Sequence, residues 1–445
     1  MQQISPVLPT PDDDWPAPRY AWTTLALLMI AMIVSSCDRT VMLLLIEPIN
    51  AHYGLSDTQF GALQGLAFGT FYVVAAIPLG ILADRFPRRL IIGCGVGMFS
   101  CFSLMTGLAR NYTQLFAARM GVGFGEASLS PAGYSLISDY FPPDRVGRAI
   151  SMFSMCSFAG ASIALAGGGL VVGWFEAQAL VSPSGLVFGL APWQATILAM
   201  ALPGVLLTPL LLLIREPRRR GLIAGKARLG FSELLEEIGK RRLFIILITL
   251  SMAMANVMSG AASTWAPTLF IRIYGWTATE IGVALGALTF VSAISGSYLA
   301  GWAVDWLTRR NTLDGPLKLA GYSFLLAGVF GVAAPLMPSG ELALAVMAPM
   351  LFLKPMCFAC APIALQIAIP NQIRAQVTAG YLTVLNIVGL AIGPIVVGAI
   401  TDHIFSGPND LRYSISVVVA ITVPIMVTCM LRARRPFRQI RSMQG

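Results

Sequence analysis

The sequence predicts an all-α membrane protein in which twelve transmembrane helices form two six-helix bundles. Of its 445 residues, 56% are hydrophobic and 11% are charged, against about 25% charged residues in an ordinary soluble domain. A membrane span needs about 20 apolar residues, so twelve spans and short loops fit this length. Basic residues also alternate between loops, as membrane topology requires. This composition excludes a soluble globular enzyme.

Apolar runs bounded by charged and turn residues predict the twelve spans. The spans cover residues 21–46, 58–83, 90–109, 113–138, 149–174, 192–214, 243–271, 278–304, 317–336, 342–368, 375–401 and 412–431. Three consecutive glycines, Gly167 to Gly169, favour a break in the fifth span, and the tenth span contains Pro355 and Pro362, which weaken a helix. Residues 1–20 lack the basic segment of a cleavable signal peptide, so we expect the first span to be retained.

The distribution of basic residues predicts that both termini are cytoplasmic. The loops on the side of the two termini carry 24 of the 30 Lys and Arg residues, whereas the other side carries Arg110, Arg272 and Arg412. Cytoplasmic loops are enriched in Lys and Arg. Topology therefore accounts for the net charge of +9, and no nucleic-acid partner is expected.

A polar segment divides the chain into two halves. Residues 1–20 form a cytoplasmic tail, 21–214 the first bundle, 215–242 a cytoplasmic linker, 243–431 the second bundle and 432–445 a basic cytoplasmic tail. Within the linker, Phe231, Leu234, Leu235 and Ile238 recur with helical spacing. This pattern predicts a short amphipathic helix on the membrane surface, or a simple tether.

The two halves share a loop motif, G-x-x-x-D-x-x-x-R-R, displaced by 221 residues. The motif residues are Gly80, Asp84, Arg85, Arg88 and Arg89 in the first half, and Gly301, Asp305, Arg309 and Arg310 in the second. Such a repeat is typical of a duplicated transporter.

With twelve spans, cytoplasmic termini, a central loop and this motif, the chain resembles the major facilitator superfamily. The resemblance implies alternating access, in which Asp84 and its basic partners hold the cytoplasmic helix ends together in the outward-open state. Pro87 and Thr308 stand where the family has a glycine. Alternatively, the motif arginines only set the topology.

Five ionisable residues lie inside predicted spans: Asp38, Arg39, Arg119, Glu126 and Lys354. Each costs several kcal/mol unless it is paired or hydrated, so each is a candidate functional residue. Along their helices, Asp38 lies roughly 12 Å and Arg119 about 9 Å below the outer surface, so the two can meet. Two acids and two arginines sum to zero, as a buried cluster requires. A static structural network is the alternative.

Within this cluster, Glu126 is the expected proton site, since burial near the midplane favours its neutral form and Asp38 lies level with Arg119. Proton uptake would leave an arginine available for an anionic head group. Lys354, followed by Pro355, is expected to face a central cavity. Further candidates for lining that cavity are Asn256, Trp265 and Tyr298.

The segments Ser36–Thr40 and Arg119–Ser128 resemble the spinster branch of the superfamily, which has an Asp-Arg pair and a Gly-x-Gly-Glu-Ala segment. That branch moves lysophospholipids and sphingosine-1-phosphate. The resemblance implies Asp38, Arg39, Arg119 and Glu126 as the functional set, an amphipathic or lipid substrate, protons as coupling ions, a monomer as the functional unit and a bacterial inner-membrane location.

Other functions fit the sequence less well. A proton-coupled exporter of drugs or small organic solutes is the nearest alternative, and it would also use Asp38 and Glu126. No cofactor, nucleotide or metal is expected: Cys357 and Cys360 form a CxxC, but the two histidines, His52 and His403, lie near loops. An intramembrane enzyme would need such groups inside a span, so no enzymatic activity is predicted.

Overall fold

The computed structural model describes residues 15–219, 231–310, 314–405 and 407–442, which are almost entirely helical. Seventeen α-helices are described: α1 Pro18–Val41, α2 Ile46–Tyr53, α3 Asp57–Ala62, α4 Phe71–Arg85, α5 Arg88–Gly107, α6 Tyr112–Glu126, α7 Leu129–Tyr140, α8 Pro143–Val181, α9 Pro192–Leu212, α10 Phe231–Lys240, α11 Arg242–Tyr274, α12 Ala278–Arg309, α13 Gly315–Ala333, α14 Gly340–Ala368, α15 Asn371–Asn386, α16 Gly393–Ile400 and α17 Leu411–Ser442. π-Helical turns at Leu63–Thr70 and Ile387–Ile392 join α3 to α4 and α15 to α16.

Eleven helical segments of the described chain are long and apolar enough to cross a membrane. This confirms the prediction of an all-α membrane protein. The fourth predicted span, 113–138, is instead two shorter helices, α6 and α7, which meet at Ala127 and Ser128. At this junction the chain passes from Glu126 to a serine whose hydroxyl bonds to the Gly125 carbonyl oxygen.

The expected break in the fifth span is wrong, because α8 continues through the three glycines. Gly169 instead permits close packing against α12. A Cβ atom on Gly169 would lie 2.8 Å from the carbonyl oxygen of Ala278, whereas one on Gly168 would meet the side chain of Val41 at 3.0 Å. Contact between backbones, rather than helix breaking, explains Gly169.

Two large hydrophobic cores organise the chain. One contains only residues of the first half, between Ala21 and Ile214, including Leu28, Phe99 and Phe153. The other is built mainly from α11 to α17 but also includes Leu45 and Phe60 of the first half, which follow the C-terminus of α1. We call this end of the molecule, remote from Pro18, the far end. The two halves therefore share one core at the far end.

The linker helix is present as α10, although residues 220–230 and the side chains of 231–235 lie outside the described residues. The predicted stripe residues Phe231, Leu234 and Leu235 belong to that undescribed set. Ile238 is partly buried and packs against the larger core. On the exposed face, Lys240 pairs with Glu236 and Glu237.

We call the end of the molecule at which Pro18 lies the terminal end. There, in the first half, the loop motif contributes a buried ion pair. Arg88 is 1% exposed, and its guanidinium bonds to Asp139 and to Glu216, the latter at 2.8 Å. Glu216 also accepts the Arg89 backbone N–H at the start of α5, where a carboxylate stabilises the helix dipole. Sequence analysis missed Asp139 and Glu216.

Several motif residues carry no described side chain. The side chains of Asp84, Asp305 and Arg309 and the surroundings of Gly301 are not described, so the contacts predicted for these four residues stay predictions. Arg85 is exposed, and the guanidinium of Arg310 lies over the ring of Trp306, 4.0 Å from its centroid.

In the second half, the corresponding network has its charges exchanged. The carboxylate of Asp314, which precedes α13, is buried and bonds to Arg434 and Arg438 of α17, with Lys318 3.8 Å away. Burial opposes ionisation, but these hydrogen bonds lower the pKa of Asp314 below its usual value. Asp314 is therefore an anion at neutral pH.

The Arg88 network predicts that replacing Arg88 destabilises the protein far more than replacing its neighbour Arg85 does. Replacing Arg88 with Gln removes a buried guanidinium that bonds to both Asp139 and Glu216, which costs about 3–5 kcal/mol. Replacing the exposed Arg85 with Gln changes the free energy of unfolding by no more than about 0.5 kcal/mol. Thermal unfolding of the detergent-purified variants, followed by tryptophan fluorescence, measures both. Equal melting temperatures for the two variants would contradict the burial argument.

Candidate functional site

The structure brings together Asp38 of α1 and Arg119 of α6. Their side chains are 3% and 1% exposed, and Nη1 of Arg119 lies 3.4 Å from Oδ2 of Asp38. Both residues lie inside apolar helices, where an isolated charge is costly. Pairing across two helices offsets part of the cost of burying the two groups, and the two residues lie at one depth along their helices.

Three neutral residues that sequence analysis missed complete the surroundings of this pair. Ser103 donates its hydroxyl to Oδ1 of Asp38, and Nη2 of Arg119 donates to Oε1 of Gln64 at 3.0 Å. The Arg119 guanidinium also lies over the ring of Phe68, 5.5 Å from its centroid. Gln64 and Phe68 both belong to the π-helical turn Leu63–Thr70. Such turns are frequent at functional sites, but the hydrophobic pattern does not reveal them.

Arg39 and Glu126 lie beside the pair. Cζ of Arg39 is 5.8 Å from the centroid of the Phe68 ring, so one aromatic ring attracts two guanidinium groups. Glu126, the last residue of α6, is 3% exposed, and Arg39, Asp38 and Arg119 all act on it electrostatically. The four side chains therefore form one cluster, in which two carboxyl groups face two guanidinium groups.

Two atoms of the cluster lack hydrogen-bond partners within the described residues. They are Oε1 of Glu126 and Nε of Arg119, both of which are buried. Buried polar atoms are nearly always bonded, so these two mark places where a proton, water or polar ligand atom fits. The helix backbone permits this crowding: a Cβ on Gly123 would lie 2.4 Å from the Phe68 carbonyl oxygen.

Lys354 lines a separate cavity of about 490 Å³ in the second half. Its Nζ donates to the hydroxyl of Ser263 at 3.1 Å. Asn256 lines the same cavity, and its side-chain amide N–H donates to the Met252 carbonyl oxygen. The remaining lining residues are Ser259, Thr289, Ala293, Ser297, Leu351, Pro355 and Phe358. The cavity thus combines one cation with hydroxyls and apolar surface.

Trp265 and Tyr298 do not line this cavity. Trp265 is fully buried, and its indole N–H donates to the Pro394 carbonyl oxygen at 3.0 Å, which ties α11 to α16. Tyr298 is 80% exposed and belongs to an outward stripe of α12 with Ile294 and Trp302. Sequence position alone did not distinguish these faces of α11 and α12.

Ion pairs and hydrogen bonds join the two halves at the far end. Arg272 of α11 bonds to Glu47 of α2 at 2.6 Å and to Asp57 of α3 at 2.7 Å. The carboxylate of Asp402 accepts both the backbone N–H and the hydroxyl of Thr58. The far end is therefore closed in this conformation.

Comparisons with known proteins agree with the geometry. Residues 28–394 match the family model of the Major Facilitator Superfamily. The chain is 25% identical to an MFS-type efflux pump of Mycolicibacterium smegmatis, covering 95% of this chain and 94% of the pump. It is 23% identical to the sphingosine-1-phosphate transporter SPNS2 of Mus musculus, covering 86% of this chain and 70% of that protein.

A solved structure shares the fold. The inward-facing, unoccupied bacterial homolog of the human lysosomal transporter spinster superposes with a TM-score of 0.83 at 24% identity, covering 96% of this chain and 99% of the homolog. Together with the family-model match and the similarity to SPNS2, this structure confirms two predicted resemblances: to the superfamily, from the spans and the repeated loop motif, and to its spinster branch, from two short segments.

The geometry of the Asp38–Arg119 pair predicts strong energetic coupling. Asp38→Asn leaves Arg119 buried with an incomplete set of acceptors and lowers the unfolding free energy by about 3–5 kcal/mol. The double variant Asp38→Asn/Arg119→Gln removes both charges and recovers part of this loss. Thermal unfolding of both single variants and the double variant measures the coupling. Strictly additive losses would contradict a direct pair.

Proposed function

Because the chain belongs to the Major Facilitator Superfamily, we propose that it is a secondary active transporter of an anionic or zwitterionic amphiphile, working by alternating access and coupled to or modulated by protons. The observation that carries this proposal is the four-charge cluster in which Asp38, Arg119 and Glu126 are buried and Arg39 is half-buried. The superfamily consists of transporters rather than enzymes. The chain is an integral multi-pass protein of the inner membrane.

The proposed topology has twelve crossings, with α6 and α7 together forming the fourth. Residues 21–214 and 243–431 form the two bundles, joined by the linker 215–242, and both termini are cytoplasmic. Far-end closure then corresponds to a conformation closed on the outer side. The strongly basic loops at the terminal end support this orientation.

Proton exchange at Glu126 alters the charge balance of the cluster. With Glu126 ionised, two carboxylates balance two guanidinium groups. With Glu126 protonated, the cluster carries one excess positive charge, and an anionic head group restores neutrality. Proton occupancy and anion occupancy are thus linked through one set of side chains. The unpartnered Oε1 of Glu126 and Nε of Arg119 support this exchange.

The amphiphilic substrate follows from the combination of charge and apolar surface. Arg39, Arg119 and Lys354 outnumber Asp38 and Glu126, which favours an anionic head group. The cavity beside Lys354 adds apolar walls from Leu351, Pro355 and Phe358 that suit a hydrocarbon tail. Lysophospholipids and sphingosine-1-phosphate combine these features, and one relative is named for transport of the latter.

A proton-coupled exporter of drugs or small organic solutes is the second candidate. It is supported by the similarity to an MFS-type efflux pump over nearly the whole of both chains. Such an exporter would use Asp38 and Glu126 to attract cationic compounds. The substrate of the purified protein distinguishes the two candidates.

We assign the two ends of the molecule to two gates. Arg272, Glu47 and Asp57 hold the outer gate closed in the present conformation. The loop motif, with Asp84 and Asp305, is the proposed latch of the cytoplasmic gate in the opposite conformation. Alternating access requires that each set of contacts break as the other forms.

Neutralising Arg272 should open the outer gate. Arg272→Gln leaves Glu47 and Asp57 facing each other without a cation, and hydrogen-bonded ion pairs worth about 2 kcal/mol are lost. This moves the conformational equilibrium roughly 30-fold. Spin labels on the exposed residues Thr113 and Glu341, one in each half, report the distance across the far end.

The matched control for the gate is Arg110→Gln, which removes an exposed arginine from the same side. It should leave the label separation unchanged. An Arg272→Gln variant whose separation matches that of the unmodified chain would reject the outer-gate assignment.

Reconstituted flux tests the proposed function and the proton site together. Liposomes containing the protein should take up labelled lysophospholipid or sphingosine-1-phosphate saturably, and the rate should respond to an imposed pH gradient. Glu126→Gln should abolish this pH response without unfolding the protein, because its side chain cannot exchange a proton. Flux at several gradients, with melting temperature as the folding check, measures both effects.

The matched control for Glu126 is Glu176→Gln, at an exposed glutamate of α8, which should retain the pH response. A well-folded Glu126→Gln protein with unchanged pH dependence would contradict the proton-site assignment. Gradient-driven transport of a cationic dye without lipid flux would assign the protein to the exporter class.

A further inference from the structure

A second, strongly basic groove lies outside the charge cluster, at the terminal ends of α11 and α17. It has a volume of about 790 Å³. Its lining residues are Leu243 and Leu247 from α11, and Thr428, Leu431, Arg432, Arg434, Arg435, Pro436 and Arg438 from α17. The groove therefore combines four arginines with an apolar wall.

The helices behind the groove are firmly joined. Phe244 of α11 and Phe437 of α17 are both fully buried, and their ring centroids are 5.5 Å apart. Leu243 is 57% exposed, and Thr428, Arg432 and Arg435 lie on one exposed face of α17. Helical spacing places Leu243 and Leu247 on the face of α11 opposite to Asn256 and Ser259, which line the cavity beside Lys354, so the groove opens away from that cavity.

The length of α17 places the arginines at the membrane interface. The helix has 32 residues, which corresponds to about 48 Å, whereas the hydrocarbon core is about 30 Å thick. Arg432 lies about 32 Å along the axis from Leu411, where α17 leaves the hydrocarbon. Leu243 and Leu247 lie in the first two turns of α11, at the depth of the outermost acyl-chain carbons.

The charge of the groove is largely uncompensated. Asp314 bonds to Arg434 and Arg438. Within the described ranges, neither Arg432 nor Arg435 forms an ion pair with an acidic side chain. Four arginines therefore face one carboxylate, and two of the guanidinium groups are available to a ligand.

We propose that this groove is a binding site for an anionic phospholipid of the leaflet at the terminal end. Arg432 and Arg435 contact the head-group phosphate, while an acyl chain lies along Leu243, Leu247 and Leu431. Basic pockets between transmembrane helices at this depth suit anionic head groups, and each arginine near the surface contributes about 1 kcal/mol. The site lies outside the proposed transport pathway and binds lipid whatever the transported substrate is.

Native mass spectrometry of the full chain in neutral detergent tests this site. Phosphatidylglycerol should bind at least about tenfold more tightly than phosphatidylcholine with the same chains. The double variant Arg432→Gln/Arg435→Gln should weaken phosphatidylglycerol binding about 25-fold, or about fivefold per arginine, and leave phosphatidylcholine binding unchanged. The single variant Arg435→Gln, with an expected fivefold loss, serves as a milder test.

Two controls separate this site from general attraction and from simple anion binding. Arg148→Gln/Arg218→Gln removes two exposed arginines from the first half and should preserve the lipid preference. Inorganic phosphate at millimolar concentration should raise the melting temperature much less than phosphatidylglycerol does. Retention of the lipid preference by Arg432→Gln/Arg435→Gln, or equal stabilisation by phosphate alone, would overturn the proposal.

Discussion

The structure depends on one constraint: a charge inside a membrane must have a partner. Asp38 and Arg119 satisfy it across two helices, with less than a twentieth of either side chain exposed. Water cannot compensate a lost partner at that depth, so α1 and α6 are held in register by the pair. Gln64, Phe68 and Ser103 then supply the remaining contacts, and this requirement brings the π-helical turn of the second membrane segment against the pair.

The same constraint operates at both ends of the molecule, with different consequences. At the terminal end, each half ties its own helices together: Arg88 bonds to Asp139 and Glu216, and Asp314 bonds to Arg434 and Arg438. At the far end, Arg272 instead joins one half to the other. Ion pairs within a half can persist while the halves move relative to one another. In the proposed alternating-access cycle an ion pair between the halves must break, and this difference distinguishes the gate from the scaffold.

Sequence analysis predicted the fold well because long apolar runs and unevenly distributed arginines are physical signals that act over many residues. It also brought Asp38 and Arg119 to one depth, since helix rise is nearly constant. It did not identify Gln64, Asp139 or Glu216, whose importance lies in contacts between distant segments. Gly169 of α8 shows the same limit: along the chain it belongs to a run that favours a break, but in three dimensions it allows α12 to pack closely.

A cluster of two carboxylates and two guanidinium groups in a membrane is stable only while its charges balance. When one carboxylate takes up a proton, a bound anion must supply the missing negative charge. Protonation of Glu126 leaves Arg39 and Arg119 with one carboxylate between them, and burial prevents water from neutralising the excess. An entering phosphate or carboxylate does so, whereas a cationic ligand increases the imbalance. In the proposed mechanism, the same cluster therefore favours anions when Glu126 is protonated and releases them when Glu126 ionises. A transporter that separates these two states between two open conformations couples substrate movement to protons without any further device.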